Sequence, residues 1–591
     1  MLRRRLLKAA AALPLAAFAS PLSALAAPAR KSRVRPGDPR WPDAAQWAEL
    51  DRAVGGRLVR PVSVFAACAA APGTAACLSS LQYVRNPFYL GDQSGGTQVS
   101  GWRGAWSVQP SAYAVAARSA ADVVAGVNFA RRNNLRLVVK GGGHSYLGGS
   151  NAPDSLLIWT RAMNRIALHD GFVPEGCAAA PVPAVTLDAG CMWIDAYTAV
   201  TTQAGRYVQG GGCTSVGVAG LVQGGGFGSF SKRFGLAAAS LLQAEIVTAD
   251  GVVRTVNACR EPDLFWALKG GGGGSFGVVT RLTLKTHDLP AQFGYVGMKI
   301  KAASAEAYRR LVGRFIAFYA EALFNPHWGE AANFFENVLE ISMASQGLDE
   351  AQVQAAWKPF MDWVRAAPGD YAFVDTPYLG AGPSRGWWDV ISNPGMTKDE
   401  RPGATPAHAW WKGDQDQVSM FIHGYDSAWL PASLLAGEQQ DRLADALVAG
   451  SRSMIVRLHF NKGLAGAPAE ENALARRCAT NPAVADAFAL MIVATGGPPP
   501  FPGLPKADPE TARRNTENVA RAAVEIARVA PGAGSYISET DYFKPNWREA
   551  FWGPNYPRLR RIKDRFDPDG LFYVHHGVGS EDWRDNGFVR V

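Results

Sequence analysis

Glycine constrains this chain more than any other residue type. It supplies 63 of 591 positions and gathers in runs. One run is Gly141-Gly142-Gly143, leading into His144-Ser145-Tyr146-Leu147-Gly148-Gly149. A second is Gly210-Gly211-Gly212-Cys213, which continues through Thr214-Ser215-Val216-Gly217-Val218-Ala219-Gly220 to Gly224-Gly225-Gly226-Phe227-Gly228. Without a Cβ, backbone can pass close to backbone or ligand, and successive N–H groups form a nest for an anion such as a pyrophosphate. Neither run contains a Gly-Lys-Ser/Thr phosphate loop. Nor does either match G-x-G-x-x-G cleanly with its acid about twenty residues on. Each run instead carries one reactive side chain. Taken alone, His144 is either a ligand or catalytic group or a turn residue. Cys213 is either a thiol whose ionised form the surrounding N–H groups stabilise, or an inert buried cysteine.

The rest of the pattern predicts an α+β fold, with helices among mixed strands. Ser119 with Asp122 three residues on marks a helix start, and Val123, Val124, Val127 and Ala130 fall on one face of it. Residues 135–139 predict a buried strand running into the first glycine run. A short strand at 184–187, a helix at 194–204 and a strand at 277–286 follow. Asp250-Gly251 between 245–249 and 252–256 is a hairpin signal. A helix at 263–269 ends in the five glycines Gly270–Gly274. Beyond Pro290 glycine runs become scarce and amphipathic helices appear at 302–320, 350–367 and 509–529, the last capped by Asp508. The expected division is an export leader at 1–27, an irregular arm at 28–106, a cofactor-binding domain at 107–289, a substrate domain at 290–530 and a returning segment at 531–591.

The formal charge of +9 includes Arg3, Arg4, Arg5 and Lys8 of the leader; without these four it falls to +5. No basic stripe with interleaved aromatics appears, so nucleic acid is not an expected partner. The arginine cluster, the apolar stretch after it and Ala24-Leu25-Ala26 predict export to the periplasm or beyond, by a twin-arginine signal. No integral membrane domain is expected once the leader is gone. The seven cysteines show no C-x-x-C spacing, so no metal site is expected. Cys68 and Cys77 can pair across a Pro-Gly turn; other connectivity stays open.

Together the two glycine runs resemble the flavin-binding domain of vanillyl-alcohol-oxidase-type (PCMH-type) enzymes, in their berberine-bridge-enzyme-like branch. The C-terminal Asn555-Tyr556-Pro557-Arg558-Leu559 and Phe566-Asp567-Pro568-Asp569-Gly570-Leu571-Phe572-Tyr573 are similar to that branch's closing segment. The resemblance covers 107–290 and 536–580 well and the middle in outline. It implies FAD bonded through His144 to the flavin 8α-methyl and through Cys213 to C6. It also implies cofactor contacts from Gly141, Gly142, Gly143, Ser145, Gly148 and Gly149, and from Gly212, Val216, Gly217, Gly220, Gly224, Gly225 and Gly226. Val278, Val279, Tyr573 and His576 complete the set. The sequence departs from the family at His575-His576-Gly577-Val578, where a glutamine or an acid is common, so the flavin contact there is open.

The implied chemistry is oxidation of an alcohol or carbohydrate-type hydroxyl by hydride transfer to flavin N5, with O2 reduced to H2O2. A dehydrogenase, an oxidative cyclase or a non-catalytic flavin protein are the alternatives. Val216, three residues after Cys213, stands where valine accompanies oxidases in the family. Tyr146 is a candidate pocket residue. His459 and Tyr536 are candidate bases, with Asp541 beside them, and each also reads as structural. Trp387-Trp388 and Trp410-Trp411 are candidate sugar platforms or core residues. The partners expected are a small-molecule substrate and O2; oligomeric state and substrate identity are not legible.

Overall fold

Three large β-sheets and the helices packed on them carry the fold of residues 32–591, the residues described by the computed structural model. The expected export leader lies outside them. The first sheet has the strand order Leu58–Val59, Tyr113–Ala116, Ser155–Trp159, Arg136–Lys140, and its last three strands run parallel. Parallel neighbours need a crossover, and the helix Ala120–Arg132 provides one. Its start is the reciprocal cap expected: Ser119 Oγ accepts from the Asp122 N–H, and Asp122 accepts from the Ser119 N–H. Val123, Val127 and Ala130 then enter the core.

The second sheet is antiparallel, ordered Val253–Asn257, Leu241–Val247, Val278–Asp288, Val182–Asp188, Ile166–Phe172, with Arg206–Val208 pairing the end of Val278–Asp288. Asp250-Gly251 turns the predicted hairpin, and Gly251 takes the positive φ (79°) that the turn requires. The third sheet has ten strands. Its long members are Gln292–Ala302, Val338–Gln346, Trp328–Phe335, Val456–His459, Ala487–Gly497 and Phe421–Pro431, in that order. Helices Ala305–Phe318, Glu350–Arg365, Gln439–Ser451 and Pro509–Ala527 cover one face. Strand alternation then decides what the other face shows: Val296, Met298 and Ile300 point into the helical core, while Tyr295, Gly297 and Lys299 line a cavity.

Three local expectations need correction. The arm is not irregular: it holds the helices Ala44–Ala53, Ala66–Ala70, Ala75–Leu81 and Pro87–Gly91, and Gly101–Trp102 and Trp106–Ser107 extend the ten-stranded sheet. These helices are short; Ala44–Ala53 buries only Trp47 and Leu50, too few positions to show a period. The helix expected over 194–204 is an α-turn, Trp193–Tyr197, continued as a π-helix, Thr198–Gln203. Its Val200-Thr201-Thr202 run is β-branched and favours the α-helix weakly. The helix of the 302–320 stretch is shorter than read, Ala305–Phe318 capped by Ser304, and passes into a π turn at Tyr319–Leu323. Cys68–Cys77 is bonded, as the turn between them allowed, and so is Cys177–Cys259; Cys191, Cys213 and Cys478 are free.

The C-terminal segment returns to the first two sheets. Phe572 bridges Leu137 in parallel, and Lys563, buried on the helix Tyr556–Phe566, donates to the carbonyls of Ser275 (2.6 Å) and Phe572 (2.8 Å). The beginning of the described chain is clasped by its end, Arg33 N–H to Phe588 carbonyl at 2.8 Å.

Candidate functional site

The strand Arg136–Lys140 ends on a buried lysine. Lys140 Nζ donates to the carbonyls of Gln93, Ser94 and Gly96 at 3.1, 2.5 and 3.0 Å, so the 93–96 turn is held beside the first glycine run. Burial pushes the Lys140 ammonium down to about 7. The two glycine runs then meet directly. A Cβ on Gly142 would lie 2.7 Å from Gly217 N, and one on Gly217 2.8 Å from Gly142 N. Only two residues without side chains allow that approach.

The contact brings the two reactive side chains to one cavity wall. His144 Nε2 lies 3.1 Å from Ser215 Oγ, a hydroxyl of the other run. Burial pushes its imidazole down to about 4 and keeps the ring neutral at physiological pH. Cys213 is fixed by its neighbours: the Gly211 carbonyl accepts from Tyr197 Oη at 2.6 Å, the Gly212 carbonyl from Trp411 Nε1 at 3.0 Å, and Thr214 Oγ1 donates to the Ala409 carbonyl at 2.6 Å. The thiolate reading of Cys213 needs correction. Burial, then the Asp414 carboxyl beside it, pushes the thiol well above its ordinary range, and the surrounding backbone does not reverse this.

The cavity measures about 2040 Å³. That exceeds the ~300–1,000 Å³ of an ordinary small-molecule pocket and leaves room for a dinucleotide and a substrate together. Gly141, Gly142, Gly143, Ser145 and Gly149 line it, as do Gly212, Val216, Gly217, Gly220, Gly224, Val279 and Tyr573. Gly148, Gly225, Gly226, Val278 and His576 do not. Gly148 packs under the Trp106 ring and Val278 enters the core. Gly225 and Gly226 take positive φ against Thr480 and Leu221. His576 stacks on Trp547 at 5.2 Å, and its neighbour His575 reaches the cavity instead. A third glycine run, whose Gly272, Gly273 and Gly274 line the cavity, was absent from the sequence candidates although its five consecutive glycines were visible. Beside it, Ser275 Oγ and Gln223 Oε1 are buried without a hydrogen-bond partner and line the same wall.

The candidate catalytic residues Tyr146, His459 and Tyr536 all line the cavity; Asp541 does not. Tyr146 Oη donates to Gln417 Oε1 at 3.4 Å, and its ring centroid lies 5.5 Å from that of Tyr425. Burial pushes the Tyr146 and Tyr536 phenols upward and the His459 imidazole well below its usual range. His459 Nδ1 is buried without a partner. Of the tryptophan pairs, Trp388 and Trp410 are core residues, the former stacked on Tyr197 at 3.9 Å. Trp387 and Trp411 line the cavity. Several charged residues of the wall escaped the sequence reading, among them Glu330, Asp414, Lys462 and Glu539. Among the described residues no group of three or more histidine, cysteine or acidic side chains is placed to hold a metal, and no helix is long and apolar enough to cross a membrane.

Comparison with known proteins agrees with this geometry. The FAD binding domain family model matches residues 111–257, and the model for berberine and berberine-like proteins matches 535–579. An FAD-linked oxidoreductase of Gibberella zeae is 28% identical over 579 residues, covering 94% of each chain. A VAO-type flavoprotein oxidase of Thermothelomyces thermophilus is 28% identical, covering 93% of each chain. Among solved structures, a VAO-type flavoprotein of Myceliophthora thermophila superposes with a TM-score of 0.78 at 26% identity, over 95% of this chain and 100% of that one. The glucooligosaccharide oxidase of Acremonium strictum, described with a 6-S-cysteinyl, 8α-N1-histidyl FAD, shares the fold at a TM-score of 0.63 and 20% identity, over 85% of this chain and 98% of that one.

Proposed function

We propose that this chain, an FAD-linked oxidoreductase with the FAD-binding and berberine-like segments of the vanillyl-alcohol-oxidase type, carries its flavin on His144 and Cys213. We read it as an exported oxidase of an alcohol or carbohydrate-type hydroxyl, with residues 107–289 and 531–591 holding the cofactor and 290–530 presenting the substrate. The observation that carries this is the meeting of the two glycine runs, which puts one imidazole and one thiol on the wall of a single cavity. The double attachment in the glucooligosaccharide oxidase uses the same pair of side-chain types.

The residues present fit the cofactor. Three glycine runs cradle one wall, and the partnerless Ser275 Oγ and Gln223 Oε1 are polar groups that a bound dinucleotide would satisfy. Bound there, a flavin would supply a two-electron acceptor for a hydride from the substrate carbon, with O2 as the terminal oxidant and H2O2 as its product. The protein's own part is orientation and proton handling. Neutral His144 keeps a nitrogen lone pair for a bond, and Ser215 fixes the ring's angle. Tyr146 and Tyr536, held protonated by burial, donate hydrogen bonds to a substrate oxygen. Trp387 and Trp411 offer the substrate aromatic surface.

Acid precipitation of purified protein, followed by peptide mapping by mass, tests the tether. Flavin mass on peptides containing His144 and Cys213 is the expected result; a colourless pellet with all flavin in the supernatant overturns it. Oxygen uptake with equimolar peroxide supports the oxidase reading. Turnover with an artificial dye but without oxygen uptake makes the protein a dehydrogenase.

A further inference from the structure

Three carboxyl groups and one ammonium surround Cys213, and the mechanism above uses none of them. Glu330 comes from the strand Trp328–Phe335, Asp414 from the short turn Lys412–Gln417, Lys462 from the turn after the strand Val456–His459, and Glu539 from the returning C-terminal segment. All four line the cavity. Glu539 sits on a tight turn, its N–H donating to the Tyr536 carbonyl at 2.9 Å. Lys462 Nζ lies 2.5 and 2.7 Å from its two carboxylate oxygens, and both side chains are largely shielded, 13% and 21% exposed. Among the described residues, neither Glu330 nor Asp414 has a cation in contact. Burial pushes Glu330 upward and Asp414 up to about 6, whereas Glu539 is the one carboxylate of the three with an ammonium bonded to both of its oxygens. Glu539 is also the acid felt by the largest share of the wall: its charge bears on Cys213, Tyr146, Tyr425 and Tyr536. The phenols are held protonated and His459 is disfavoured as a cation, so none of the three residues first considered accepts a proton readily.

We propose that Glu539 is the general base of the oxidation and Lys462 its positioning residue, a proposal that rests on the flavin reading above. As the substrate O–H bond breaks, its proton passes to a Glu539 oxygen and the O–H electron pair forms the carbonyl. The hydrogen on the adjacent carbon leaves with its own electron pair to the flavin, the two-electron oxidant of that reading. The Lys462 ammonium, bonded to both carboxylate oxygens, fixes their direction.

The test uses holoenzyme: wild type, Glu539→Gln, Lys462→Met and Lys462→Arg. Acid-stable flavin is measured first. A colourless wild type removes the flavin reading and this proposal with it; a yellow one leaves the base to the variants. Sulfite, which adds an anion to the flavin ring, needs no substrate. In Glu539→Gln the Lys462 charge that bears on Cys213, the proposed flavin attachment, is unopposed, so the sulfite Kd is expected to fall about tenfold. Glucose, cellobiose and benzyl alcohol are the substrate probes. Any of them that bleaches the wild-type flavin without oxygen is expected to bleach Glu539→Gln about 100-fold more slowly, the low end of general-base contributions. Lys462→Met is expected to slow as well, with Lys462→Arg restoring most of the rate, which a merely structural lysine would not show. If Glu539→Gln fails to fold, Glu539→Asp, which keeps the charge one methylene short, replaces it with an intermediate rate. Bleaching within about threefold of wild type at equal flavin content overturns the base role, and unchanged sulfite affinity overturns the placement of the Lys462–Glu539 pair near the flavin on which that role depends.

Discussion

At the scale of single residues, the site depends on two glycines more than on any polar group. Gly142 and Gly217 have backbone where other residues would have a Cβ, and the neighbouring atoms are main-chain nitrogens that cannot swing aside. Gly142→Ala is therefore expected to cost about 1–3 kcal/mol by overpacking and to reduce acid-stable flavin sharply, because it separates the loops that carry His144 and Cys213. Gly369→Ala, where a Cβ meets nothing within 4 Å, is the matched control and should leave both melting and flavin content near wild type. Equal flavin content in the two variants would show that the loops need not touch. Val216 belongs to the same scale. It lines the cavity, and its carbonyl accepts from Trp193 N–H at 3.0 Å, so its side chain has a fixed place on the wall. Val216→Leu adds a methylene there and is expected to slow reoxidation by oxygen about tenfold or more in stopped flow, a barrier change of ~1.4 kcal/mol. An unchanged rate removes Val216 from the oxygen path.

At the scale of elements, the returning C-terminal helix is fastened beside the third glycine run by one buried lysine, which donates to the Ser275 carbonyl and pairs with Asp567 at the helix's own end. Lys563 Nζ lies 2.6 Å from Asp567 Oδ2, and Asp567 also accepts from the Leu571 and Phe572 N–H groups at 2.7 and 2.9 Å. Lys563→Met leaves a buried carboxylate unpaired and is expected to cost about 3–5 kcal/mol in denaturant unfolding. Pairing it with Asp567→Asn should recover part of that loss; no recovery would mean that the two carbonyls Lys563 holds matter more than the charge. The sequence foretold elements whose signals are local. The Ser119–Asp122 cap, the Asp250-Gly251 hairpin and the Asp508 cap each occupy a few consecutive residues, and each element formed where expected. The two glycine runs were legible for the same reason. Lys462 and Glu539 were not, because they are 77 residues apart and meet only after the third sheet has formed and the C-terminal segment has returned. The placement of His576 was missed by one position. A left-handed backbone there (φ 54°) turns its ring onto Trp547 and leaves His575 to face the cavity, and no pattern of residue types signals that turn.

At the scale of the whole molecule, acid and reduction probe different constraints. His144 and His287 are held neutral by burial, both pushed down to about 4. The unfolded chain binds protons on them near the ordinary value of about 6.5, so their contribution to stability is complete above that pH and is lost as pH falls from about 6.5 to about 4. Thermal midpoints of flavin-free protein should drop across that window; a flat profile would show that neither imidazole is neutral in the fold. The two disulfides close loops of very different size, with sequence separations of 82 and 9 residues. Cys177–Cys259 ties the loop after Ile166–Phe172 to the chain just past Val253–Asn257, where Asn257 Nδ2 also donates to the Glu175 carbonyl at 2.9 Å. If disulfides stabilise by restricting the unfolded chain, the long closure contributes about 4.5 kcal/mol and the short one about 2.5 kcal/mol. Replacing Cys177 and Cys259 by serine should then lower the melting midpoint more than the same change at Cys68 and Cys77, at equal scan rate and flavin load. The reverse order would place the stabilisation in the folded state instead, in the packing of the short helices Ala66–Ala70 and Ala75–Leu81 around the Cys68–Cys77 bond.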